Sequence, residues 1–426
     1  MIAAYVLDIN GSPLMPMSNF KRVRKFLRNG KAKVVKREPF TIKLLYEPET
    51  KVVQEVNLGI DTGSSRVGVA AVGNGKTLYA AEVTIRNDIS KKMDRRAKAR
   101  RARRVRKLRY RKPRFNNRRN SIISGRFSPT MVSKINSHIR EIELVRSILP
   151  IKNLVLETGT FDPHKLKNPS IRGWGYQKGP NYGFGNSKAA CLSRDNYTCQ
   201  HCKAKKGTLH AHHIVYRSQG GSDDLDNLIT LCEGCHKDLH AGKLKKFESK
   251  IQGKRKGNLK HATQMNSIRK QLLKLYPKAI ETIETFGYVT KENRQNLGLE
   301  KSHINDAIVI ASAGELVKLP KEVFIKKHVT KGDYQLTKGV RGEMKIPTGK
   351  IHGFRKFDKV EYLGKKYFIK GRRTVGTCVL MDIYGNSITF QDAPRGFKTP
   401  KMSNLIRLKA RSTTLCIREG LIQNTA

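Results

Sequence analysis

The sequence predicts an α/β chain of several domains, and three observations carry that expectation. Residues 55–85 run strand, Gly/Ser turn, strand, strand, and a short apolar strand (IKNLVLE) and a helix within TKENRQNLGLEKSHINDAIVIASAG follow far downstream. Between these core segments, residues 199–240 hold two Cys-x-x-Cys pairs with linker-like sequence on both sides, so a small metal-bearing module is inserted into the core. The last hundred residues read as short strands with Gly- or Asn-rich turns, a β-rich end domain. A chain of 426 residues has room for such domains, each with its own core.

Composition sets the partner class. There are 86 Lys and Arg against 34 Asp and Glu, a formal net charge of +52. Such a chain repels itself unless a polyanion neutralises it, so nucleic acid is the expected partner. No apolar run approaches transmembrane length, and the start MIAAYVLDINGSPLMP lacks the basic region of a signal peptide. Of seven cysteines, Cys191, Cys378 and Cys416 stand apart from the paired four and are expected as buried reduced thiols of a cytoplasmic protein.

In chain order, residues 1–52 form a small N-terminal module. AAYVLDI is a strand, GSPLMP a turn with two prolines, and SNFKRVRKFLRNGKA a basic helix capped by Ser18 and ended by Gly30. Two strands, KVVKR and FTIKLLYE, complete it. In residues 53–90, EVNLGIDTGSSRVGVAAV sets Asp61 at the end of a strand before a Gly/Ser turn. That opening resembles a ribonuclease-H-like fold. Sugar kinases and actin-like ATPases open with a similar turn, so partner carboxylates must decide.

Residues 91–120 hold seventeen Lys or Arg and one Asp. Helix-favouring residues at this Arg density point to a helix lying along nucleic-acid phosphates, through Arg95, Arg96, Arg100, Arg101, Arg103, Arg104, Arg106 and Arg109. In residues 121–162 an amphipathic helix (MVSKINSHIREIELVRSIL) precedes IKNLVLE, whose unbroken apolar run reads as a central parallel strand ending in Glu157. Residues 163–252 enclose the cysteine module. They begin with the Gly- and aromatic-rich KNPSIRGWGYQKGPNYGFGNS, a linker or a surface for stacking on nucleic acid, and close with a basic connector. Residues 253–318 supply a helix, a strand in AIETIETFGY, and a second helix that sets His303 and Asp306 three residues apart on one face. That face is expected to meet the sheet edge bearing Asp61 and Glu157. Asp61, Glu157 and Asp306 are hard oxygen ligands suited to Mg2+. An ATPase would need adenosine-binding and second phosphate-turn segments, which the sequence does not offer. Residues 319–426 form the basic, β-rich C-terminal domain.

Within the inserted module, Cys199, Cys202, Cys232 and Cys235 have the spacing of a closed tetrahedral Zn2+ site, which is structural. Half of the twelve histidines lie between His201 and His240. One imidazole acting as base beside another that binds metal suits phosphodiester hydrolysis.

This Cys/His/Asn pattern resembles the HNH nucleases of ββα-metal fold that carry a four-cysteine zinc knuckle. The resemblance implies His212 as a Mg2+ ligand, His213 as general base, Asn227 as the loop brace and His236 as the second ligand; His240, one turn later, is left open. Asp61, Glu157, His303 and Asp306 together resemble the split RuvC nuclease domain. A RuvC core in three segments, an Arg-rich bridge, an HNH insertion and the motif Pro13-Leu14-Met15-Pro16 resemble the IscB family of transposon-associated, RNA-guided (OMEGA) nucleases related to the CRISPR single effectors. That likeness implies a DNA endonuclease working as a monomeric ribonucleoprotein with a structured guide RNA (ωRNA) on double-stranded DNA, away from any membrane. HNH would cut the guide-paired strand and RuvC the displaced strand, while the C-terminal domain would contact the RNA and read a flanking motif. His212 stands where the CRISPR effectors carry Asp. Two other readings compete: a protein-guided, homing-type HNH endonuclease, and an inactive RNA-binding transposon accessory protein.

Overall fold

The computed structural model describes residues 3–49, 53–105, 125–219, 221–252, 259–276, 281–330, 349–390 and 399–420. They divide into two units, residues 1–159 with 265–426, and residues 160–264.

The first unit opens with β1 (Ala4–Leu7), β2 (Pro13–Met17), α1 (Phe20–Arg28), β3 (Ala32–Arg37) and β4 (Phe40–Leu44), a sheet in the order β2-β1-β4-β3. Residues 13–17 are therefore a strand, where the prolines suggested a turn. β2 lies at the sheet edge, so the N–H groups that Pro13 and Pro16 lack are not all needed by a neighbour. The reversal comes earlier, where the Asp8 carboxylate accepts from the N–H groups of Asn10 and Ser12. Asn19, not Ser18, caps α1 by accepting from the Arg22 N–H.

β5 (Val56–Asp61), β6 (Arg66–Gly73) and β7 (Lys76–Thr84) form an antiparallel meander. α2 (Ile89–Val105), α3 (Pro129–Arg146) and β8 (Ile151–Glu157) follow. On α2, Arg95, Arg96, Arg100, Arg101 and Arg103 are exposed and Arg104 half-buried; Arg106 and Arg109 lie outside the described residues.

The second unit contains α4 (Ser187–Arg194), β9 (Leu209–His213), β10 (Leu228–Cys232), α5 (Glu233–His240) and α6 (Lys245–Gln252). Then come α7 (Lys260–Leu275), β11 (Glu281–Thr285), α8 (Gly287–Asn296), α9 (His303–Ser312) and β12 (Glu322–His328). β13 (Lys359–Tyr362), β14 (Lys365–Arg372), β15 (Cys378–Met381), β16 (Ser387–Ile388), β17 (Ile406–Lys409) and β18 (Thr414–Gly420) end the chain's regular structure. β13–β17 make an antiparallel five-stranded sheet over Val360, Ile369, Cys378 and Leu380. β12 and β18, although they come from the C-terminal stretch, complete the large sheet of the first unit, ordered β11-β8-β5-β6-β7-β12-β18. Cys191, Cys378 and Cys416 are buried free thiols. No helix among the described residues is long and apolar enough to cross a membrane.

Strand alternation sorts the large sheet into two faces. Leu58, Ile60, Val67 and Val69 pack with Ile135, Ile142 and Val145 of α3 and with Ile268 and Leu272 of α7. Ala70, Val72 and Ala80 pack on the other face against Ile304, Ala307, Ile308 and Ala311 of α9. α9 can lie this close only because Gly59 and Gly68 have no side chains. A Cβ at Gly68 would fall 1.8 Å from the His303 carbonyl oxygen, and one at Gly59 2.5 Å from that of Ala307. Gly68→Ala is accordingly expected to lift the start of α9 at a cost of about 3 kcal/mol. Thermal unfolding measures that cost, and an unchanged melting temperature would refute the close fit.

Under the first face lies a buried charged group. Glu141 on α3 meets Lys326 Nζ at 2.7 Å and His328 Nε2 at 2.8 Å, and Lys326 also donates to the Tyr79 hydroxyl at 2.6 Å. Burial opposes the Glu141 charge, but Lys326 and His328 outweigh it and hold its carboxyl at about 2. Fully buried His138, with Nδ1 on the Lys134 carbonyl, is pushed down to about 4 by burial. A depressed folded value means that its contribution is whole above the unfolded value near 6.5 and is lost as pH falls toward 4, about 3 kcal/mol in all. The melting temperature should therefore drop through that window, and His138→Phe should remove about one proton's share of the slope.

Candidate active and metal sites

The first site lies at the end of β5 and β8. Their parallel register sets Asp61 beside Glu157, and the antiparallel partner of Asp61 on β6 is Gly68, over which α9 begins. α9 thus delivers His303 Nδ1 to 2.5 Å from Asp61 Oδ2. Asp306, one turn on, lies 2.8 Å from Arg294 Nε of α8.

The electrostatics tie the three carboxylates together. Burial raises Glu157, and repulsion from Asp61 and Asp306 adds to it against a hydrogen bond from Thr290. Burial and Asp61 likewise raise Asp306 against the opposing Arg294 charge. The hydrogen bond and charge of Asp61 raise His303. Carboxylates whose charges repel suit a hard divalent cation, which would relieve that repulsion. Thr290 and Arg294 are partners that sequence did not single out. A Thr and an Arg on a polar helix carry no signal until tertiary structure aims them.

In the second unit, β9 and β10 pair antiparallel with His213 opposite Leu228 and His212 opposite Ile229. Asn227 ties the intervening loop: its Oδ1 accepts from the Val215 N–H, and its Nδ2 donates to the carbonyls of Val215 and Ser222. Alternation turns His212 inward, only 3% exposed, and His213 the other way. His236 and His240, one turn apart on α5, converge on His212. The three ring centroids are 4.6–5.2 Å apart, and a nitrogen of each lies within 4.8 Å of the others. His240, left open by the sequence, thus stands in the cluster.

Burial, then the neighbouring charges of His236, His240 and His213, hold His212 at about 4, so its ring is neutral at neutral pH. Neutral imidazoles suit a divalent ion, although an all-nitrogen set is softer than Mg2+ prefers and fits Zn2+ or Ni2+ chemistry better. His213 Nε2 lies 2.7 Å from Asp223 Oδ1, which Arg217 also grips. Sequence missed Asp223, one of several acids in a polar turn.

The four sulfur atoms of Cys199, Cys202, Cys232 and Cys235 all lie within 4.8 Å of one another and form no disulfide. The turn after Cys199 closes through Lys203 N–H to the Cys199 carbonyl and Cys199 N–H to that of Ala204. Burial opposes a thiolate at Cys199, but N–H groups of Cys232, Cys202 and His201 outweigh it and hold the thiol at about 7. This cluster is compatible with a structural zinc site. Upstream, Trp174 stands 65% exposed with Lys178 Nζ 3.6 Å from its ring centre.

A two-stranded sheet and a helix that gather three histidines beside four cysteines define a ββα-type nuclease module. The comparisons agree. Residues 199–242 match the family model for HNH endonuclease, and residues 4–179 match that for RRXRR protein. Over 69 residues the chain is 35% identical to anaredoxin of Nostoc sp., covering 16% of this chain and 90% of that protein. Over 78 residues it is 28% identical to the type IV methyl-directed restriction enzyme EcoKMcrA of Escherichia coli, 18% of this chain and only 25% of that enzyme. Residues 199–242 thus carry an HNH endonuclease domain, and the likeness to the restriction enzyme supports a nuclease acting on DNA. RRXRR and HNH domains together are the combination of IscB-like proteins.

Proposed function

We propose that this chain is an RNA-guided DNA endonuclease that makes double-strand breaks with two separate sites. The observation that carries this reading is the presence, in one strongly basic chain, of a three-carboxylate site on an α/β sheet and of a histidine site in an HNH module. The large sheet with Asp61, Glu157, His303 and Asp306 is then a ribonuclease-H-like RuvC core assembled from three segments, and it cuts the displaced strand. The HNH module cuts the guide-paired strand.

In the HNH module, His213 takes the proton of the attacking water. Asp223, on Nε2, orients the ring and stabilises its charged form, leaving Nδ1 for the proton. A divalent cation held by His212, His236 and His240 would offset charge on the phosphate. Asn227 keeps His213 and its loop in register. At the carboxylates, Asp61, Glu157 and Asp306 would hold Mg2+, and His303 orients Asp61. Zn2+ on the four cysteines would hold the module's shape. The exposed arginines of α2, from Arg95 to Arg103, line up along the phosphates of the guide.

The restriction-enzyme likeness favours a second reading, a nuclease that reads DNA by itself. Sequencing the RNA that co-purifies with the chain, expressed with its flanking DNA, separates the two. One abundant structured RNA with a variable end is the expected result. Heterogeneous RNA, with cleavage unchanged after RNase treatment, would overturn guidance.

A further inference from the structure

Phe286 and Tyr288 bracket Gly287 where β11 passes into α8. Both rings stand in solvent, 41% and 70% exposed, and neither joins a hydrophobic cluster among the described residues. Their planes are 7° from parallel, with centroids 5.9 Å apart. Two flat apolar rings held side by side in water are a surface awaiting a flat partner.

Their place says which partner. A Cβ at Gly287 would lie 3.1 Å from Glu157 Oε1, so the backbone between the two aromatic residues passes directly against one of the three carboxylates. Thr290, two residues past Tyr288, hydrogen-bonds Glu157. Every nucleobase has a π-face, and aromatic side chains grip unpaired strands through it without regard to sequence. A duplex keeps its bases stacked inside and offers none.

We propose that Phe286 and Tyr288 form a base-stacking subsite for single-stranded DNA, seating the nucleotide next to the phosphate presented to Asp61, Glu157 and Asp306. This rests on the nuclease reading of those carboxylates, whose displaced strand is unpaired, and adds the side chains that seat its bases. DNA is the strand chosen because the chain's nuclease family match and its restriction-enzyme likeness point to DNA.

The test titrates the full-length protein, in Ca2+ to suppress hydrolysis, with a thymidine oligonucleotide carrying one 2-aminopurine, whose fluorescence falls on stacking. The intact protein should quench it. Phe286→Leu with Tyr288→Leu should lose the quench and bind about tenfold more weakly, the scale of one lost base–aromatic stack, while Tyr288→Trp should keep both. Unchanged quench and affinity in the double leucine variant overturn the subsite. An RNA strand of the same sequence responding more strongly overturns its assignment to DNA. Asp61→Asn separates the two readings. If the carboxylates are no nuclease site, strand cleavage survives Asp61→Asn while the quench still depends on Tyr288. If only the subsite is wrong, Asp61→Asn abolishes that cut and the quench ignores Tyr288.

Discussion

Asp61→Ala is expected to slow cleavage of the displaced strand about a thousandfold, the several kcal/mol that metal-assisted phosphate chemistry supplies, and to leave the guide-paired strand cut at its normal rate. His213→Ala should give the complementary nick, with a loss of about a hundred- to ten-thousandfold for removal of a general base. Each site has its own complete set of groups. Asp61 is paired in register with Glu157 and held by His303, all in the first unit. His213, Asp223 and the histidine trio all belong to the second. A strand-labelled plasmid assay reads both rates. A double variant that still linearises the plasmid would remove both assignments.

Cys199→Ser should unfold the second unit while the first stays folded. The apolar core around the cysteines is small: Cys199, Leu231 and Leu239 are its buried members, with Ile229, Leu244 and Phe247 at its edge. A core of that size contributes little by itself, whereas a structural zinc ion contributes about 10–16 kcal/mol of apparent binding energy in comparable small domains. The first unit has independent support in the two faces of its seven-stranded sheet. Limited proteolysis with metal analysis is the check. The expected result is one zinc equivalent in the native chain, none in the variant, and cleavage confined to residues 160–264. A variant that lacks zinc yet resists protease there would show that the cysteines do not hold the module.

The parts of this molecule legible in sequence are those whose signal is local. Cys-x-x-Cys spacing, the His212-His213 pair and the strand-ending Asp61 can be read from a few neighbours. So can the i, i+3 placement of His303 and Asp306, because helix periodicity is a local rule. What sequence did not show depends on distant partners. Lys326 and His328 read as two more basic residues in a basic chain, yet Glu141 on another element takes both into the core. β12 and β18 complete the large sheet because their edges find β7 and each other, a choice no window of residues contains. Pro13 and Pro16 suggest a turn until the edge position of β2 is known. Asp223 acquires meaning only from His213 beside it, and Gly287 only from the Glu157 carboxylate it passes.

Under the proposed function, a bound RNA chooses the cut. Its most direct test replaces the variable end of the co-purifying RNA with a new sequence and maps breaks on plasmids carrying the old and the new match. Breaks in both strands are expected to move to the new match and to vanish when the RNA is digested. Breaks that stay at the old position, or persist without RNA, would contradict it.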